Sequence, residues 1–402
     1  RACLPKHVRA FSTSARKVYI AGHGVVPVSR KKEFSMRHSG ATAISRALED
    51  AGVQANAVQA LYVGNMMSGM LSNQQNVSVL LATQAGLDGI ETVTLEGCCG
   101  SGGSALRVGY MSIMSGIYDT VVVAGVEAMT HLETDVVTKG LATASDWERE
   151  GGKGATFVSL NGTLMQKYLD TYKVDRESFL PFAAVAHQNA STSPHALLKK
   201  TITAEDYKNS KVINPPVRLL DASPMCDGAA AVVLTCDPGL ADAHGRGMRV
   251  VVAGSGAASD RLEVASRPDP LSLRAVANST AAALKAARIT PKDVDIPEVH
   301  DAYTIMACLS LEAGGFVPPG EGTRAAVDGQ LGLGGQFPIA TFGGLKARGH
   351  PVGATGVYQA AEMHMQLTGR AGKNQVAGAE TALIQNISGA GSAVFAHILR
   401  RV

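Results

Sequence analysis

Three side chains in this 402-residue sequence sit in surroundings suited to chemistry. The first is Cys99, in Thr94-Leu95-Glu96-Gly97-Cys98-Cys99-Gly100-Ser101-Gly102-Gly103-Ser104-Ala105. There an apolar run gives way to a Gly-rich turn and then to an amphipathic helix, predicted from Ala105 to about Ser115. A thiol at such a junction meets unpaired N–H groups and the positive end of the helix dipole. That setting favours thiolate, and so a nucleophilic sulfur near neutral pH. The competing reading is a small buried cysteine in a glycine turn. His300 lies in Glu298-Val299-His300-Asp301-Ala302-Tyr303, and His350 in Gly343-Gly344-Leu345-Lys346-Ala347-Arg348-Gly349-His350-Pro351-Val352-Gly353-Ala354-Thr355-Gly356. Either could be a hydrogen-bonded structural residue, but the glycines and Pro351 around His350 allow close backbone approach and fix the chain beyond the ring. The eleven histidines show no metal-ligand spacing, so no metal site is expected.

The elements that must position these groups alternate between strand and helix. Val18 to Val26, Leu61 to Val63, Thr120 to Gly125, Ala229 to Thr235 and Arg249 to Gly254 read as strands. Gly40 to Ala51 and Val77 to Ala85 read as helices, the first stopped by Gly52. Alternation of this kind predicts α/β layering. From His131 to about Arg218 strand signals thin and helices dominate, as in an insertion over the α/β body. The second part of the chain repeats the first: Ala47-Leu48-Glu49-Asp50-Ala51-Gly52-Val53 matches Ala283-Leu284-Lys285-Ala286-Ala287-Arg288-Ile289 at an offset of 236, with Val58 on Val294 and Val63 on Val299. Two such halves bring equivalent loops to one shared pocket.

Residues 1–17 differ in kind, with five Lys or Arg and no acid before Glu33. They read as a transit-peptide-like leader, with a mitochondrial matrix destination expected. Setting its five basic residues aside turns the formal charge of +3 into −2, which removes any argument for nucleic-acid binding. No apolar run is long enough to span a bilayer. The six cysteines show no paired spacing, and a chain this large does not need disulfides, so they are read as free thiols.

Taken together, Cys99-Gly100-Ser101-Gly102, Asp221-Ala222-Ser223-Pro224-Met225-Cys226-Asp227-Gly228, His300-Asp301-Ala302-Tyr303, the loop around His350 and Asn386-Ile387-Ser388-Gly389-Ala390-Gly391 follow the order found in thiolases. The resemblance spans about Val18 to Val402, and is to the archaeal and sterol-carrier-protein branch. It implies an α/β thiolase fold, a duplicated five-layered α/β/α/β/α body, with an N-terminal half over 18–248, a loop domain at about 131–218, and a C-terminal half over 249–402. It implies acyl transfer between CoA thioesters, making or cleaving a 3-ketoacyl-CoA such as acetoacetyl-CoA. Cys99 would accept the acyl group, His350 would be the general base, and His300 would face the thioester oxygen. The Cys99 and Gly389 N–H groups would form an oxyanion pocket, with Asn386 in the same turn motif. Ser223 would lie beside the pantetheine arm. CoA and acyl-CoA would be substrates, with no permanently bound cofactor, and the enzyme would be a homodimer or homotetramer, with a hetero-complex with a downstream acetoacetyl-CoA enzyme as a further option.

The sequence departs from that family where most members carry a second cysteine that moves the proton at the carbon alpha to the thioester. Asn386 stands at one of its two positions and Ala302 at the other. His350, His300 or Cys98 could take over, or the protein could be a catalytically impaired structural or interaction subunit. A ketosynthase-like condensing enzyme also uses a Cys-His-His set, but its histidines sit in a different motif.

Overall fold

The computed structural model describes residues 16–30, 34–242, 245 and 247–402. Most of the leader therefore lies outside the described residues. Arg16 does not: its guanidinium donates to Ile113 O (3.0 Å) and Tyr118 O (3.1 Å) and pairs with Asp119. This leader residue is thus fastened to the folded body.

The strands are β1 (Tyr19–Val25), β2 (Ala60–Gly64), β3 (Glu91–Leu95), β4 (Thr120–Glu127), β5 (Val212–Asn214), β6 (Val217–Arg218), β7 (Gly228–Thr235), β8 (Val250–Ser259), β9 (Ile296–Glu298), β10 (Thr381–Ser388) and β11 (Ala393–Arg401). All but the β5–β6 hairpin form one sheet in the order β3-β2-β4-β7-β1-β8-β11-β10-β9. The predicted duplication is visible in that order. Outward from the β1–β8 junction, one side runs β1-β7-β4-β2 and the other β8-β11-β10-β9. The pairings match too: antiparallel, antiparallel, then parallel on each side. Within the sheet, β1 and β8 pair at two register positions, Tyr19↔Val251 and Ile20↔Val250.

The repeated helices explain the sequence offset. Met36–Ala51 lies on β1 and Arg274–Ala287 on β8. A side chain at Gly22 would strike Ala47 O and Ala51 N, and one at Gly254 would strike Ala283 O and Ala287 N. The same close helix-on-strand contact thus recurs at matching residues. Between the two sheet halves lie the helices Ser101–Met114 and Thr355–Leu367, which contact each other, the latter buried at every residue. The layers are therefore helix, sheet, paired helices, sheet and helix. Helices Thr134–Ala142, Phe157–Tyr172 and Leu180–Thr192, with the β5–β6 hairpin, fill the segment between β4 and β7. Among the described residues no helix is long and apolar enough to cross a membrane.

The helix after Cys99 begins four residues earlier than predicted, at Ser101. Gly102 and Gly103 are poor helix formers, which pushed the expected start later. Packing overrides propensity here. A Cβ on Gly102 would come within 2.8 Å of Gly356 N, and one on Gly103 within 2.9 Å of Asn386. The glycines let two central elements touch backbone to backbone.

Candidate active site

Cys99 follows β3 through Gly97 and Cys98, in a 3₁₀ turn over Cys98–Gly100 that runs into the helix. Cys98 adopts φ 53°, a left-handed conformation that side chains resist. Ser101 steadies the turn, accepting from Gly97 N–H (2.9 Å) and donating to Cys98 O (2.6 Å). Cys99 is only 7% exposed, packed among Met67, Leu71, Met129, Val137 and Val352. Burial pushes its thiol up to about 12, although the Gly389 N–H donates to the sulfur and the Cys99 N–H also helps; the charges of Glu127 and Glu96 add to the rise. The expectation of a thiolate in the resting protein is therefore corrected: desolvation outweighs the helix start and the N–H groups.

His300 and His350 meet here from separate segments. Their rings stand perpendicular with centroids 5.1 Å apart. His300 Nδ1 accepts the Ile387 N–H at 3.2 Å, so in the neutral ring Nε2 carries the proton. Burial and the Arg348 charge lower His300 to about 3. His350 Nδ1 lies 2.7 Å from Thr355 Oγ1, whose hydroxyl also reaches Pro351 O at 3.4 Å. With that hydroxyl donating to Pro351 O, His350 Nδ1–H donates to Oγ1 and Nε2 keeps a bare lone pair. His350 Nε2 is buried and has no partner among the described residues. Burial, His300 and Arg348 hold this ring well below the ordinary imidazole range.

The loop bearing His350 rests on buried polar contacts. Asp301 accepts from Leu345 N–H (2.6 Å) and Lys346 N–H (3.4 Å), tying the His300 segment to it. Arg348 pairs with Glu362 (2.6 Å), which also binds His195 (2.7 Å). Glu127, at the end of β4, accepts from Gly353 N–H (3.1 Å), Met66 N–H (2.9 Å), Met67 N–H (3.1 Å) and Asn65 Nδ2 (3.1 Å).

Asn386 and Gly389 complete the cluster. Asn386 donates to Cys99 O (3.1 Å) and accepts from Gly103 N–H (2.8 Å), so both ends of its amide hold the Cys99 turn and the helix that follows it. Ser388 donates to Gly97 O. Gly389 has φ 56°, and a side chain there would strike Ala144 O at 2.9 Å. Ser223 is placed beside the His300 segment: its N–H donates to Ala302 O (2.8 Å), and Ala222 bridges to Tyr303. Thr355 and Glu127 went unnoticed in the sequence. Thr355 stood in the quoted loop, five residues after His350, and that one-turn spacing was its signal; Glu127 gave none.

Elsewhere, His23, Asp50 and His364 gather three ligand-type atoms that spacing could not reveal. The Arg370 guanidinium already lies among them, with Nη2 3.2 Å from His23 Nδ1, 3.2 Å from Asp50 Oδ2 and 3.3 Å from His364 Nδ1.

Residues 18–237 match the family model for the thiolase N-terminal domain, and residues 256–401 match the thiolase C-terminal domain-like model. The chain belongs to the thiolase family. It is 44% identical to the acetyl-CoA acetyltransferase of Methanothermobacter thermautotrophicus, over 88% of this chain and 92% of that protein. It is 36% identical to the acetyl-CoA acetyltransferase of Methanocaldococcus jannaschii, over 88% and 90%. In fold it matches the Ltp2-ChsH2(DUF35) aldolase with a TM-score of 0.83 at 21% identity, over 96% of this thiolase and 97% of that chain. The first two organisms are archaea, which have no mitochondria, and this overturns the expected matrix destination. Nor do these matches favour the ketosynthase-like or impaired readings: this thiolase is an acyltransferase that takes CoA thioesters as substrates.

Proposed function

We propose that this thiolase transfers acetyl groups between CoA thioesters through acetyl-Cys99, joining two acetyl-CoA molecules into acetoacetyl-CoA and running the reverse thiolysis. The observation that carries the assignment of roles is the buried, unpartnered Nε2 of His350, held by Thr355 at the other ring nitrogen. Cys99 gives its proton to this nitrogen as the sulfur attacks the thioester carbonyl, so no thiolate need persist in the resting enzyme. The His300 Nε2–H and the Gly389 and Cys99 N–H groups stabilise the oxyanions that form. CoA departs with the proton from His350, and Nε2 is bare again. It then takes the alpha proton of the second acetyl-CoA, whose carbon attacks the acetyl group. Cys99 leaves as thiolate and is reprotonated from His350.

One base serving both half-reactions accounts for the missing second cysteine. Asn386 is committed to backbone groups, and His300 offers a proton instead of a lone pair. A groove of about 880 Å³ lined by Thr134, Lys139, Trp147 and Thr156 lies in the segment between β4 and β7 and offers room for part of an acyl-CoA. The position of Ser223 beside the pantetheine arm rests on the thiolase resemblance. The outer edge of β3, with Val93 exposed, supports a homodimer or homotetramer.

Radiolabelled acetyl-CoA tests the central step. Label is expected on Cys99 in the wild type and none in Cys99→Ala or His350→Gln. Stable label on His350→Gln at the wild-type rate removes His350 as the base.

A further inference from the structure

Glu127 is fully buried and has no part in the steps above. Its two oxygens accept four donors from two segments, Asn65–Met67 and the loop at Gly353. Oε1 takes Asn65 Nδ2 and Met67 N–H, and Oε2 takes Met66 N–H and Gly353 N–H. Gly353 lies three residues after His350, whereas Met67 belongs to the same buried cluster as Cys99. The seam is tight: a Cβ on Gly353 would fall 2.7 Å from Glu127 Oε2 and 2.7 Å from Asn65 Cα. No second carboxylate shares these donors, and the charge of Glu127 is felt at the Cys99 sulfur.

We propose that Glu127 is a positioning residue for acyl transfer, clamping the His350 loop to the wall of the Cys99 pocket and acting on the thiol through its charge. This rests on the thiolase reading given above. Glu127 ionises late, at about 7, because burial raises it against the pull of Met66, Met67, Gly353 and Asn65. Ionised, it opposes formation of the Cys99 thiolate; protonated, it does not. Four other titratable groups border this region. His300 and His350 stay neutral across it. Asp301, raised by burial to about 6, and Lys346, lowered by burial to about 8, sit on the far side of the His350 loop. Their titration persists in Glu127→Gln, so the difference between that variant and the wild type isolates Glu127.

The test is the rate of iodoacetamide alkylation of Cys99 against pH, with the label localised by mass spectrometry. In the wild type, log rate should climb with pH, flatten by about one log unit around pH 7 as Glu127 charges, and climb again. In Glu127→Gln the flattening should vanish, alkylation at pH 8 should be about tenfold faster, and kcat should fall about 10- to 100-fold with little change in KM. Glu127→Asp, which keeps the charge on a shorter stem, should lose turnover but retain the flattening. A uniform slope in the wild type overturns the proposal whether or not either variant folds. So does a Glu127→Gln enzyme with kcat within twofold of wild type. Absence of acetyl label on wild-type Cys99 would instead overturn the thiolase chemistry, which the alkylation profile does not depend on.

Discussion

Replacing Asn386 by cysteine puts back the residue most thiolases carry at that position, and the geometry predicts that it harms this enzyme. The Asn386 amide donates to Cys99 O and accepts from Gly103 N–H, and none of it is exposed. Cysteine can replace neither bond well. A buried polar group left unpaired costs about 1–3 kcal/mol, so two give a loss of roughly 2–6 kcal/mol. At about 1 °C per kcal/mol for a chain of this length, this lowers Tm by roughly 2–7 °C. The loosened turn also carries Cys99, the nucleophile of the proposed reaction, so acetoacetyl-CoA thiolysis should fall rather than rise. Asn386→Asp sharpens the comparison: it conserves shape but sets a carboxylate oxygen against Cys99 O, and should be less stable still. Differential scanning fluorimetry and steady-state thiolysis read both effects. An Asn386→Cys enzyme with unchanged Tm and kcat at or above wild type refutes the reasoning, and would mean that the amide is dispensable and the missing cysteine limiting.

Other outcomes follow from the same contacts. His300→Asn, whose amide oxygen can stand at the position of Nδ1 and accept the Ile387 N–H but which offers no donor at the position of Nε2, should lower kcat for thiolysis by about 10²–10³ with a much smaller effect on Tm. Thr355→Val removes the partner of His350 Nδ1 and should slow acetylation of Cys99 about tenfold or more in a rapid-quench experiment. His397, whose Nε2 contacts Gly103 O at 3.1 Å, is lowered to about 4 by burial. It stays neutral when folded and protonates when unfolded between about pH 6.5 and 4, so its contribution to stability is lost as pH falls through that window. Denaturant titrations should show the wild type losing about 1.4 kcal/mol per pH unit relative to His397→Gln there, with other groups cancelling in the difference.

Much of this site was legible in the chain because its motifs are local. Cys99 before a helix, His350 among glycines and His300 after a short strand each announce themselves within a few residues, and the offset of 236 gave away the duplication. What stayed hidden depends on contacts across the fold. Asn386 reaches a turn 287 positions away, and Gly353 meets Glu127 across 226. The resting state of Cys99 was misjudged for the same reason: the helix start is visible in sequence, whereas the Met-rich wall that desolvates the sulfur comes from four other segments. The helix boundary failed where Gly102 and Gly103 serve a neighbour instead of their own element.

The two register pairs at the β1–β8 seam also bear on how the molecule divides its labour. One repeat brings the sulfur, and the other brings both imidazoles and Gly389, although the backbones are near copies. Neither repeat expressed by itself holds a working set of groups. Equal scaffolds have thus become unequal partners, and a substitution in that narrow seam reaches catalysis by altering how one copy is aimed at the other.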